Sequence, residues 1–134
     1  MSESSTTLHE QRDLLSAQTV ESHRGFVSLM EELEAVDWYN QRVDASTDEQ
    51  LKAILAHNRD EEKEHAMMVL EWLRRHDPVL DKEMRTYLFT EGDILAVEEE
   101  ADAGDENGED GKDGGTLPVG HGSLNIGSLK EARS

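Results

Sequence analysis

The 134-residue chain contains no cysteine. That excludes disulfides, iron–sulfur clusters and thiolate zinc sites, so any metal site must use oxygen and imidazole ligands. Proline is almost absent, with two in the chain and none before Pro78, and long helices are therefore permitted through residue 77. Positive charge is scarce: 13 Lys and Arg stand against 31 Asp and Glu, a net charge of -18 at pH 7. Nucleic acid and anionic membrane are excluded as partners because both are themselves negative, and cations are the natural partner. No apolar run approaches the roughly 20 residues that a membrane-spanning helix needs. Residues 1–7 lack the apolar core of a secretory signal, so a cytosolic origin is expected.

What is present is unevenly spread. Glu98 to Asp113 holds nine acidic residues against one lysine, and residues 99–122 carry almost no apolar content, which predicts disorder. Aliphatic residues return at Leu124, Ile126 and Leu129. A polar linker ending in a short apolar cluster reads as a tethered docking peptide. The expected organisation is a disordered N-terminus over 1–6, a helical domain over 7–97, an acidic Gly-rich linker over 98–122 and a terminal peptide over 123–134.

The fold class expected is all-α. Thr7 and Glu10 have the spacing of a capping box, and helical periodicity runs from there to about Val43. One stripe reads Leu29, Glu32, Val36, Tyr39, Val43, with Phe26, Met30 and Leu33 beside it. Residues 44–49 form a turn, with Ser46 and Glu49 in capping-box spacing. The second helix is predicted from about Thr47 to His76, ending at Asp77-Pro78, and its stripe is Leu51, Leu55, Asn58, Glu62, His65, Val69, Trp72. A short turn between matching stripes implies an antiparallel helical hairpin. Each helix buries one side only, so the hairpin should self-associate. A shorter third helix is predicted from Val79 to about Val97, bent or interrupted at Gly92.

Glu32, Glu62 and His65 replace apolar residues at core register. Buried carboxylates and imidazole are costly unless compensated, and a metal ion is the usual compensation. Glu62 and His65, three apart, project from one helix face, and the hairpin brings Glu32 to within a turn of their level. A di-iron bundle needs two Glu plus Glu-x-x-His sets, whereas this chain has one. The site is therefore expected to be completed by a second copy of the protein.

Two further clusters lie off the stripe. Glu31 and Glu34, with Trp38 four residues on, make an acidic patch; His57, Glu61 and Glu64 share another helix face. Each is a candidate weaker metal site, against the competing reading of a solvated acidic face. Tyr39 could reach a ligand through its hydroxyl, although ordinary packing explains Tyr39 and Trp38 equally well.

The stretch Met30-Glu31-Glu32-Leu33-Glu34-Ala35-Val36-Asp37-Trp38-Tyr39, the run Asn58 to Glu71 and Arg85-Thr86-Tyr87-Leu88-Phe89-Thr90-Glu91 closely resemble the encapsulated ferritins. These are bacterial and archaeal ferritin-like ferroxidases packaged inside encapsulin nanocompartments, and the resemblance covers roughly residues 20 to 95. Leu124 to Lys130 resembles the family's encapsulin-targeting peptide. The resemblance implies an antiparallel dimer that completes a ferritin-like four-helix bundle and assembles into an annular decamer. It implies a di-iron ferroxidase centre at the dimer interface, with Glu32, Glu62 and His65 as iron ligands and Tyr39 close to the metal. Glu31, Glu34 and Trp38 match a proposed metal-uptake site, and His57, Glu61 and Glu64 a peripheral one. Fe(II) and dioxygen would be the reactants and the encapsulin shell protein the partner, within the nanocompartment lumen of a bacterial or archaeal cytoplasm.

Two other readings compete. One is a non-catalytic acidic helical cargo protein that binds divalent metal without oxidising it. The other, a peroxide-scavenging rubrerythrin-like enzyme, is weakened by the absence of cysteine ligands for a rubredoxin-type iron site.

Overall fold

A computed structural model of the protein describes residues 6–108. All regular structure among them is helical: a 3-10 turn at Arg12–Leu14, then α1 (Ala17–Ala45), α2 (Glu49–His76), α3 (Pro78–Tyr87) and α4 (Ile94–Gly108). The chain separates into two compact units, dividing inside α3 between Leu80 and Asp81.

In the first unit, α1 begins later than the spacing at Thr7 and Glu10 predicts. Residues 7–10 lie outside any helix. Gln11 and Leu15 are extended, which interrupts the chain on both sides of the 3-10 turn. Ser16 takes the capping role, its hydroxyl accepting from the Thr19 N–H at 3.0 Å. Serine and threonine cap about equally well, so backbone continuity decides between them. The cap of α2 is also displaced. Ser46 closes α1, donating its N–H to the Arg42 carbonyl at 2.9 Å, and Asp48 opens α2 by accepting from the Leu51 N–H at 2.8 Å. A carboxylate there also complements the helix dipole. At the far end, Asp77 is extended before Pro78, and its carboxylate accepts from the N–H groups of Val79 and Leu80, both at 3.0 Å. Proline needs no N–H donor in a first turn, so α3 starts on it.

The hairpin of α1 and α2 is antiparallel. Gly25 lies against Trp72 and Leu73, Glu32 beside His65, and Asn40 beside Arg59. A Cβ placed on Gly25 would meet Leu73 Cδ2 at 2.9 Å and Trp72 Cζ3 at 3.1 Å. The glycine that costs about 1 kcal/mol of helix propensity against alanine therefore lets the two helices approach. Its absent side chain is a packing feature.

The core is small. Val20, Ala66 and Leu73 are the buried apolar residues among those described, and no large side chain is fully enclosed. The expected stripe of Leu29, Glu32, Val36, Tyr39 and Val43 is half-buried along its length, as is its α2 counterpart from Leu55 to Trp72. Phe26, Leu33, Ile54, Met67 and Met68 remain exposed. Two helices cannot cover both sides of each other.

The second unit contains the rest of α3 and α4. The expected single helix is two, broken over residues 88–93, where Phe89 (φ 60°) and Gly92 (φ 88°) adopt left-handed backbone. The helix α4 runs to Gly108, ten residues into the stretch predicted to be disordered. Low hydrophobicity limits burial, yet Glu and Ala are strong helix formers, and no proline or β-branched residue occurs from Glu98 to Gly108. Asp93 opens α4 by accepting from the Leu95 N–H at 3.3 Å, and Lys82 pairs with Asp105 at 3.1 Å. The terminal peptide and the remainder of the acidic linker lie outside the described residues.

Candidate metal centre

One carboxylate comes from the middle of α1 and a carboxylate and an imidazole come from the middle of α2. Ligand atoms of Glu32, Glu62 and His65 all lie within 4.8 Å of one another. Among the described residues no other set of three acidic, histidine or cysteine residues comes together in this way. His65 Nδ1 is 3.3 Å from Glu62 Oε2 and 3.9 Å from Glu32 Oε2. The first distance is local, an i,i+3 pair on one turn. The second crosses the hairpin and depends on how the helices pack.

The two carboxyl groups compete for protons. Glu32 is held above the usual carboxylate range, first by its hydrogen bond to Glu62 and then by burial. Glu62 is held below it, first by accepting from Glu32 and also by bonding to His65, although burial opposes this. Like charges this close resist joint ionisation, which raises the one and lowers the other. All three side chains are partly open, with exposures of 28% for Glu32, 23% for Glu62 and 44% for His65. Two carboxylates and one imidazole form a hard, oxygen-rich donor set suited to Fe(II) or similar divalent cations. Three donors do not fill an octahedral ion.

The remaining sequence candidates are dispersed. Tyr39 lies two turns beyond Glu32 on α1, about 10 Å along the axis. Arg42 stacks over its ring, 5.5 Å from the centroid. Glu31, Glu34 and Trp38 are exposed on α1, and Trp38 lines a shallow cleft with Gln41 and Arg42. His57 pairs with Glu61 at 3.0 Å, while Glu64 borders a separate groove with Met67, Met68 and Trp72. Neither peripheral set is gathered into a three-donor cluster.

Two features beside the centre were not legible as functional. Gly25 carried a signal, a glycine inside a long helix, but its reason lies on the opposite helix. The hydrogen bond from Arg59 to Asn40, 3.0 Å across the hairpin, leaves no periodic trace in the sequence.

The chain is similar to several known proteins. A family model described as EncFtn-like matches residues 7–91. The encapsulated ferritin-like protein of Rhodospirillum rubrum is 61% identical over 130 residues, spanning 97% of this chain and 92% of its own length. The encapsulin nanocompartment cargo protein EncC of Myxococcus xanthus is 47% identical over 47 residues, 35% of this chain and 36% of its own. A crystal structure of a Nitrosomonas europaea protein superposes with a TM-score of 0.64 at 62% identity, covering 65% of this chain and 96% of that one.

Proposed function

This chain belongs to the EncFtn-like family, and from that premise we propose that it is a ferroxidase, oxidising Fe(II) to Fe(III) with dioxygen at a centre shared between two copies. The observation that carries the reading is the meeting of Glu32, Glu62 and His65 within 4.8 Å, each side chain still partly exposed. A second copy supplies the same three groups, and the pair then holds two Fe(II) with four carboxylates and two imidazoles, the composition of bundle di-iron sites. The exposed apolar residues around the hairpin support such an association, because a two-helix unit this open is poorly stable alone.

Each group has a role in this reading. Glu62, already ionised in the free protein, is the residue proposed to bridge the ions, with Glu32 and His65 terminal. Four carboxylate charges balance two Fe(II). The same anionic oxygens would favour Fe(III) over Fe(II), and two Fe(II) losing one electron each would reduce one dioxygen, with uptake of two protons, to hydrogen peroxide. The ferric product then leaves, since a hairpin encloses no storage cavity. The names of the relatives support packaging inside an encapsulin shell; residues 123–134 are proposed as the address, and a dimer-based ring, an annular decamer, as the assembly. Tyr39 is proposed to approach the iron, and the patches at Glu31, Glu34 and Trp38 and at His57, Glu61 and Glu64 to handle iron on its way.

The test is oxygen uptake and ferric absorbance after mixing with Fe(II). Wild-type protein should consume oxygen, and Glu32→Ala, Glu62→Ala and His65→Ala should each lose the rapid phase. Cation binding without oxygen uptake by the wild type would instead identify a static metal binder.

A further inference from the structure

The donor cluster sits between two cross-helix contacts of opposite character. About two turns to one side on α1, Gly25 admits Trp72 and Leu73, an apolar close approach that sets the spacing of the helices. About two turns to the other side, Arg59 Nη1 donates to Asn40 Oδ1 at 3.0 Å. Arg59 is one turn from Glu62 on α2, and its side chain is 22% exposed, among the less exposed charged groups of the hairpin. Its Nε donates at 3.1 Å to Asp60, which also accepts from Lys63 at 3.1 Å. The guanidinium is therefore held from two directions, by Asp60 on its own helix and by Asn40 on the other.

Packing at Gly25 is nondirectional and resists approach more than sliding. A hydrogen bond is directional, and a planar guanidinium with fixed donors is more so. One turn of slip displaces a helix by about 5.4 Å, whereas Glu32 and His65 are already 3.9 Å apart. A small axial shift would take Glu32 out of the cluster.

We propose that Arg59 and Asn40 are positioning residues, a polar clamp that fixes the register of α1 against α2 and so presents Glu32 to Glu62 and His65 as one donor set. The inference rests on reading that cluster as a metal site. Neither residue touches the metal in this scheme. Each acts through the backbone alignment of the helix that carries a ligand. Outer-shell groups that orient ligands typically contribute about 10- to 100-fold in metal affinity. A clamp one turn removed and partly exposed is expected at the lower end of that range.

The probe is Co(II), whose visible d–d absorption reports donor geometry, titrated anaerobically into full-length protein. Asn40→Ala should weaken Co(II) binding by about tenfold and alter the band shape, with helical circular dichroism unchanged. Asn40→Asp keeps an acceptor for the guanidinium and should restore wild-type affinity and spectrum. Arg59→Lys cannot serve Asn40 and Asp60 together with fixed donors and should resemble Asn40→Ala. Glu62→Gln is the control for the site itself and should nearly abolish binding. Wild-type titrations in both Asn40→Ala and Arg59→Lys, with binding lost in Glu62→Gln, would overturn the clamp and leave the metal site standing. Unchanged binding in Glu62→Gln would overturn the metal site and the clamp with it.

Discussion

His65 Nδ1 stands 3.3 Å from Glu62 Oε2, one turn along the same helix. The pair is set by α2 alone, so two of the three donors come together without any contact from α1. Glu32 is the component that must be brought in, and beside Glu62 it holds its proton more tightly than a free glutamate does.

That proton predicts the pH dependence of cation binding. Glu32 is raised above its ordinary value of 4.5, so over the interval above pH 4.5 it remains protonated where a free glutamate is ionised. A cation must displace that proton. Affinity for Co(II) should therefore rise with pH through this interval, by at most about tenfold per pH unit for each proton released. Without metal the sign for stability is the reverse of the usual carboxylate case: Glu32's contribution is present below pH 4.5 and is lost as pH rises through its folded value. Calorimetric titration in buffers of different ionisation heat counts the protons. Equal affinity across the interval would show that Glu32 is not a ligand.

Metal and assembly should be linked. In a shared centre, the carboxylates of two copies repel across the interface until cations neutralise them, so a bound metal stabilises the associated form by mass action. Size-exclusion chromatography with chelator should show smaller species than chromatography with Fe(II) under argon. An identical distribution would mean that the cluster is not at an interface between copies.

The close approach at Gly25 makes a third prediction. Alanine there gains about 1 kcal/mol of helix propensity but must displace Leu73 Cδ2, at 2.9 Å, from a position 3% exposed. Overpacking a tight core position costs about 1–3 kcal/mol, and the cost should win. Gly25→Ala is expected to lower Tm by a few degrees, about 4 °C per kcal/mol or more for a unit of this size. A raised Tm would show that Leu73 gives way freely and that the glycine does not set the helix spacing.

Much of this arrangement follows from local pattern. A turn shortly after Asp44 (observed over residues 46–48, narrower than the 44–49 expected), the arrest of α2 at Asp77-Pro78 and the placement of Glu62 and His65 on one face need only spacing and turn chemistry. Caps were less legible, because Thr7, Ser16, Ser46 and Asp48 are all competent and backbone continuity chooses among them. The acidic stretch after Val97 misled for a different reason. Composition reports how much surface a segment can bury, whereas α4 is sustained by helix propensity, the Asp93 cap and the Lys82–Asp105 pair.

The amino-acid sequence by itself determined two long amphipathic helices, their antiparallel pairing and a carboxylate–imidazole pair on α2, because each depends on periodicities of one element or on a turn of a few residues. Periodicity also put Glu32, and not Glu31 or Glu34, on the facing stripe to within a turn of that pair. Tertiary structure decided that its carboxylate comes to 3.9 Å from His65, and that Gly25 meets Leu73 and Arg59 bonds Asn40 on either side. Those outcomes depend on the axial register of one helix against the other. A one-turn slip preserves the facing stripes while carrying Glu32 about 5.4 Å along the axis, and only contacts made across the hairpin forbid it.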